Sequence, residues 1–121
     1  MDSTQLARLA AEQALTKKAL DVTILDLQGI SDVTDYFVIC TGESDTQVKA
    51  ISDAVLDGLR DAEVKVWRKE GLAHLQWVLL DFVDVVVHIF QPRVRAYYDI
   101  ERLWGDAVSE IVRDEDIHPL P

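Results

Sequence analysis

Residues 76–90 read Gln-Trp-Val-Leu-Leu-Asp-Phe-Val-Asp-Val-Val-Val-His-Ile-Phe, and no other stretch limits the possible folds as strongly. It is the longest apolar run in the chain, yet Trp77, Asp81, Asp84 and His88 interrupt it. In an extended strand the side chains alternate, so Val78 and Leu80 share one face while Trp77, Leu79 and Asp81 share the other. Residues 85–90 form a second run, rich in the β-branched side chains that suit a pleated, half-buried surface. The gap between the runs is too short for the crossover that parallel neighbours require. The pair is therefore expected to be an antiparallel hairpin turning around Asp81–Asp84.

The rest of the chain supplies partners for that hairpin. Asp2, Ser3 and Thr4 offer N-cap acceptors for a helix running to about Leu20, with Leu6, Leu9 and Ala10 on one face. A strand over 22–27 ends at the Gln28-Gly29 turn, and a second, almost wholly apolar strand covers 36–41. Ser44 and Gln47 have capping-box spacing, and Val48, Ile51, Val55, Leu59 and Ala62 make the clearest helical stripe in the sequence. Alternation predicts a strand over 64–68, followed by a loop around Gly71. Pro92 suits a helix start, and from there Tyr97, Ile100, Trp104, Ala107, Val108 and Ile111 share a helical face, with a break expected at Gly105-Asp106. Tyr98 lies about 100° off that face. The acidic tail from Arg113 is expected to fray. The order α-β-β-α-β-β-β-α(-α) implies one α/β domain over residues 1–121, a mixed sheet of about five strands flanked by helices. The unit from Tyr36 to Arg68 should be a right-handed parallel crossover.

Charge narrows the function. Twelve Lys and Arg against 22 Asp and Glu leave a formal net charge of −10. Such a chain is poorly suited to neutralising phosphates, so direct nucleic-acid contact is expected to be minor at most. Its field would instead draw it towards a basic partner. No run approaches the ~18 apolar residues of a membrane helix, and no signal or transit peptide is evident. With Cys40 as the single cysteine, these features favour a cytoplasmic protein and no membrane partner.

Catalytic chemistry finds little footing. Gly42-Glu43-Ser44 at a strand-to-helix turn resembles the phosphate-facing turn of nucleotidyltransferases, but that chemistry needs metal-holding carboxylates side by side on one strand face. Asp81 and Asp84 are three apart and separated by the turn, and Ser44 reads better as a helix cap. The P-loop and Gly-x-Gly-x-x-Gly patterns are missing. His74, His88 and His118 lack metal-ligand spacing with one another or with Cys40. His88 reads as a hydrogen-bonded structural residue and Cys40 as an inert buried thiol. No catalytic residue, metal or cofactor is expected. Binding is the better-supported class. Trp77 and Tyr98 are of the types that dominate protein interfaces, Leu79 shares the Trp77 face, and Asp81, Glu70 and Glu101 could rim the patch. Plain core packing of Trp77 is the competing reading.

These residues also carry a resemblance. Asp26-Leu-Gln-Gly29 with Ser31 and Asp35, Tyr36-Phe-Val-Ile-Cys-Thr-Gly42, Ser44-Asp-Thr-Gln-Val48, Glu70-Gly71, Trp77-Val-Leu-Leu-Asp81, Asp84-Val-Val-Val-His-Ile-Phe90 and Tyr98-Asp-Ile-Glu-Arg-Leu-Trp104 occur in family order. Together they resemble the ribosomal silencing factor S, or Iojap-like, family. The resemblance implies a nucleotidyltransferase-like α/β fold without transferase activity. It further implies a translational repressor that binds the large ribosomal subunit at its basic L-fourteen-type protein and hinders joining of the small subunit. Homodimers occur in the family, and its contact surface involves the positions of Trp77 and Tyr98. A large-subunit assembly factor is the alternative, and a nucleotidyltransferase-type enzyme the more distant one. The sequence departs from the family pattern at residues 72–76, at Phe82-Val83 and at Gln91-Pro92-Arg93.

Overall fold

The computed structural model describes residues 1–117. Helix α1 (Ser3–Leu15) opens with a reciprocal cap, in which the Asp2 carboxylate accepts from Gln5 N–H and the Gln5 amide oxygen accepts from Asp2 N–H. It ends earlier than the expected Leu20, because Lys18 takes a left-handed φ of 60° and the chain turns straight into β1 (Leu20–Asp26). β2 (Tyr36–Thr41) then leads into α2 (Asp45–Asp61), which Ser44 caps by accepting from Gln47 N–H at 3.1 Å.

β3 (Arg68–Glu70), β4 (Trp77–Asp81) and β5 (Val85–Phe90) follow. The third strand lies C-terminal to the expected 64–68. The end of α2 unwinds through Glu63 at φ 65°, and Val64 N–H is taken by the Leu59 carbonyl, so pairing begins only where Trp67 N–H reaches the Asp81 carbonyl. The hairpin at Asp81–Asp84 forms as expected, β4 against β5 with Asp81 opposite Val86.

The sheet has six strands, in the order β3-β4-β5-β2-β1-β6, where β6 is Val108–Ile111. Only β2 and β5 are parallel neighbours. β3 runs in the same sense as β2, but β4 and β5 lie between them, so the expected Tyr36–Arg68 unit is not a crossover between adjacent strands. The sixth strand replaces helix. Asp99 enters the left-handed region at φ 44° and splits the helical stretch into α3 (Pro92–Tyr98) and α4 (Ile100–Leu103). Val108–Ile111 then pairs antiparallel with β1. The open edge of β1 offers a row of backbone donors and acceptors that a helix there would leave unpaired, and this outweighs the local helical periodicity. The break consequently leaves Tyr97 80% exposed while Ile100 is buried, although the sequence puts both on one stripe. Beyond β6, Asp114–Ile117 forms a single helical turn, α5, with Ile117 against the main core. His118 and the residues after it lie outside those described.

Two hydrophobic layers result. Val78, Leu80, Val85, Val87, Ile89, Val38 and Cys40 project from one side of the sheet onto α1 and α2 and form the larger core. From the other side Leu25, Ile39 and Phe90 meet Ile100, with Phe37, Trp77, Val94 and Trp104 packed around them. α3 and α4 are too short to cover that side, and the part near β3 and β4 stays partly open.

A candidate partner-binding face

The alternation of β4 settles which side each residue serves. Val78 and Leu80 are fully buried beneath α1 and α2, while Trp77 and Leu79 are half-buried on the opposite side. α3 follows β5 directly, and Gln91 N–H donates to the Gln76 carbonyl at 2.9 Å, which ties the start of the helix to the start of β4. About two further turns bring Tyr98 over the indole, with ring centroids 4.9 Å apart. Trp77 also packs on buried Phe90 at 4.8 Å, so its inner edge belongs to the core while its outer edge meets Tyr98. Tyr98 is 52% exposed, and Tyr97 stands edge-on to it at 5.0 Å. Gln76, Gln91, Arg93, Val94 and the two tyrosines enclose an open cleft of about 520 Å³. Trp77 and Tyr98 are thus an aromatic pair held on a rigid base, a geometry that would lower the entropic cost of any contact made through them.

His88 supplies that base. Trp77 Nε1–H donates to His88 Nδ1 at 3.1 Å, so the neutral ring carries its own proton on Nε2, which is buried without a hydrogen-bond partner. Phe37 stacks edge-on to the imidazole at 4.5 Å and Trp104 edge-on to Phe37 at 5.8 Å. Burial with no compensating acid holds the imidazole pKa down at about 4. His88 is therefore a neutral acceptor that fixes the indole plane, in keeping with a structural histidine. Cys40 lies in the other core, where burial pushes its thiol up to about 12. At neutral pH it is not a nucleophile.

The four remaining sequence candidates are scattered. Glu70 lies opposite Leu79 across the β3–β4 ladder, exposed, and these two extend the Trp77 side of the sheet towards its edge. Asp81 is four residues from Trp77, roughly 13 Å along the strand. Its side chain is buried in the hairpin turn, accepting from Val83 N–H at 2.8 Å with Arg68 Nη2 3.6 Å away. Glu101 is bound by Arg95, at 2.9 Å from Nε and 3.2 Å from Nη2. Arg95 also donates to the Asp21 carbonyl and Thr41 Oγ1, both at 2.9 Å, which locks α3 to the sheet. So Trp77 and Tyr98 touch, Leu79 and Glu70 adjoin them, and Asp81 and Glu101 have structural partners of their own. Sequence reasoning did not single out Phe37, Tyr97 or Arg95. Phe37 sits in an apolar strand run, and Arg95 and Glu101 are six apart, a spacing with no helical meaning; only Tyr97, next to Tyr98, carried a usable signal.

Among the described residues no group of three or more His, Cys, Asp or Glu is placed to hold a metal ion, and no helix is long and apolar enough to cross a membrane. At the Gly42 turn two N–H groups already have side-chain partners: Gln47 N–H donates to Ser44 Oγ, and Glu43 N–H, ahead of the helix, donates to the Gln47 amide oxygen at 2.7 Å.

Comparison with known proteins agrees over the length of the chain. Residues 1–120 match the family described as "Ribosomal silencing factor during starvation". A protein of Bacillus subtilis named ribosomal silencing factor RsfS is 44% identical over 107 residues, 88% of this chain and 91% of the relative. The chloroplastic protein Iojap of Zea mays is 37% identical over 87% of this chain and 44% of its own length. A crystal structure of a protein from Chromobacterium violaceum superimposes with a TM-score of 0.85 at 39% identity, covering 87% of this chain and 88% of that one. Another, from Bacillus halodurans, covers 90% and 99% with a TM-score of 0.79 at 38% identity.

Proposed function

The chain belongs to the ribosomal silencing factor family, and from that premise we propose that it is a cytoplasmic translational repressor that works by occupying space. It binds the large ribosomal subunit through the basic L-fourteen-type protein, on the surface the small subunit must meet, and the bound domain blocks joining. No chemistry is required of it, and the nucleotidyltransferase-like description of its sheet belongs to the same reading as ancestry rather than activity. The observation that carries the proposal is Tyr98, more than half exposed yet held 4.9 Å from a half-buried Trp77. An aromatic pair whose geometry is fixed before contact, with no role for Tyr98 in either core, is what a protein interface uses as its centre. Leu79 and Glu70 extend that centre. Asp81 and Glu101 act at a distance, Asp81 by shaping the hairpin and Glu101 by fixing α3 through Arg95.

The test is co-sedimentation of purified chain with large subunits. Tyr98→Ala removes only the exposed half of the pair, so it should keep the far-UV spectrum and melting temperature while losing most of the bound fraction. Undiminished binding by folded Tyr98→Ala would place the interface elsewhere. Binding of wild-type chain to precursor particles but not to mature subunits would favour the assembly-factor reading.

A further inference from the structure

The strand ends opposite the Trp77–Tyr98 pair carry a second patch that the silencing reading does not use. There the 28–35 connection meets the β4–β5 turn, with Asp35 N–H and Tyr36 N–H both donating to the Asp84 carbonyl, at 2.9 and 3.2 Å. The connection is built rather than slack. Ile30 and Ser31 N–H both bond the Leu27 carbonyl, and Ser31 Oγ accepts from Val33 N–H at 3.1 Å. This frame presents Val33 at 83% exposure, with Ile30 at 46% and Val83 at 53%. Trp67, 68% exposed, joins the patch through Arg68, whose guanidinium lies 5.3 Å from its ring centroid and 3.6 Å from the Asp81 carboxylate behind Val83. Four large apolar side chains facing water at one end of a small domain exceed the scatter expected of a surface without a partner.

The charge around Ile30, Val33 and Val83 is one-sided, whereas Trp67 at the margin is flanked by Lys65, Arg68 and Lys69. Segments 26–35 and 81–84 hold five Asp and no Lys or Arg. None of the ion pairs among the described residues involves Asp32, Asp35 or Asp84. A nucleic acid or an anionic membrane would be repelled here, and so would a second copy of this chain, which brings the same acids. We propose that this end of the sheet is a second docking surface, and that its occupant is a lysine- and arginine-rich protein segment with apolar side chains among its cations. The apolar residues would cover Ile30, Val33 and Val83, away from the cations beside Trp67, and the cations would meet Asp32, Asp35 and Asp84. The proposal does not depend on the ribosomal reading, since it rests on a different end of the molecule.

Two short peptides of equal positive charge test it, one of Lys, Arg and Leu and the other of Lys, Arg and Ser, each titrated into the ¹⁵N-labelled full chain. The leucine-bearing peptide should shift amides of residues 30–35 and 82–84, leave the Trp77 indole unmoved, and bind several-fold tighter than the serine peptide. Asp32→Lys with Asp84→Lys, both on exposed side chains, should weaken it about tenfold, and Val33→Ser should erase the difference between the peptides. Equal binding of the two peptides would reduce the patch to bare charge and overturn the proposal. Shifts centred on Trp77 and Tyr98 would also overturn it, as would concentration-dependent shifts at residues 30–35 with no peptide present, which would mean self-association.

Discussion

His88 is the residue on which the aromatic face depends, and its protonation has a definite sign. In the unfolded chain an imidazole titrates near its ordinary value, whereas in the folded chain burial depresses it to about 4. Between those values the unfolded state binds more protons, so stability rises with pH through that window and is lost as pH falls through it. The full difference is about 3 kcal/mol. Melting temperature should therefore drop steeply between about pH 6.5 and 4, and more gently in His88→Gln, whose amide oxygen still accepts from Trp77 but cannot gain a charge. Equal slopes in the two proteins would mean that other groups dominate acid unfolding. The indole needs separate treatment because it serves two roles. Trp77→Ala empties space against Phe90 and orphans His88 Nδ1, at a cost of a few kcal/mol, so its loss of binding would be ambiguous unless compared with Tyr98→Ala. From Tyr98→Ala we expect a binding loss of ~2 kcal/mol or more with little change in melting. The sequence made Trp77 and Tyr98 legible because each broke a pattern, one on a strand and one off a helical stripe. It could not reveal that Arg95 neutralises Glu101 or that Asp81 turns inwards, because those partnerships depend on where separate elements come to lie.

At the scale of elements, strand and helix identities followed from periodicity wherever one face was buried. The hairpin at residues 77–90 and the stripe of α2 are the clearest cases. Both failures lie at sheet edges. β3 is exposed along its whole length, so no alternation marks residues 68–70 and the alternation at 64–68 points upstream of the pairing, while β6 carries a helical spacing of apolar residues that pairing with β1 overrides. The turns hold further consequences. Val83 has φ 75° at the hairpin tip, a region that a β-branched residue enters only with strain. Val83→Gly should raise stability by about 0.5–1 kcal/mol, visible as a higher urea midpoint at unchanged slope; a lower midpoint would show that the valine side chain contributes more than its strain costs. Gly71 is the opposite case. It has φ 86°, and a Cβ there would lie 1.9 Å from the Trp77 carbonyl oxygen. Gly71→Ala must push the β3–β4 connection away from the base of the aromatic pair. It should cost more than about 2 kcal/mol and blue-shift or broaden the Trp77 fluorescence, and an unchanged melt would contradict the close approach.

For the molecule as a whole, the net charge of −10 allows one salt series to separate the proposed subunit binding from the self-association that the family resemblance implies. A complex with a basic ribosomal protein brings opposite charges together, so added salt screens an attraction and weakens binding. A homodimer brings like charges together, so the same salt screens a repulsion and tightens association. The aromatic centre responds little to either, because burial of apolar area and ring contacts is not a charge effect. Three behaviours should therefore be distinguishable as ionic strength is raised from about 0.05 to 0.3 M, across which the Debye length roughly halves. Subunit binding by the wild-type chain should fall several-fold but persist, carried by Trp77 and Tyr98. Binding by Tyr98→Ala should start weak and vanish, since only the screened component is left to it. Self-association followed by sedimentation equilibrium should move in the opposite direction. If the dimer weakened with salt alongside subunit binding, its interface would have to pair basic residues of one copy, such as Arg93 beside the aromatic face, with acids of the other. The two associations would then compete for one surface, and a dimer would be a store of inactive repressor.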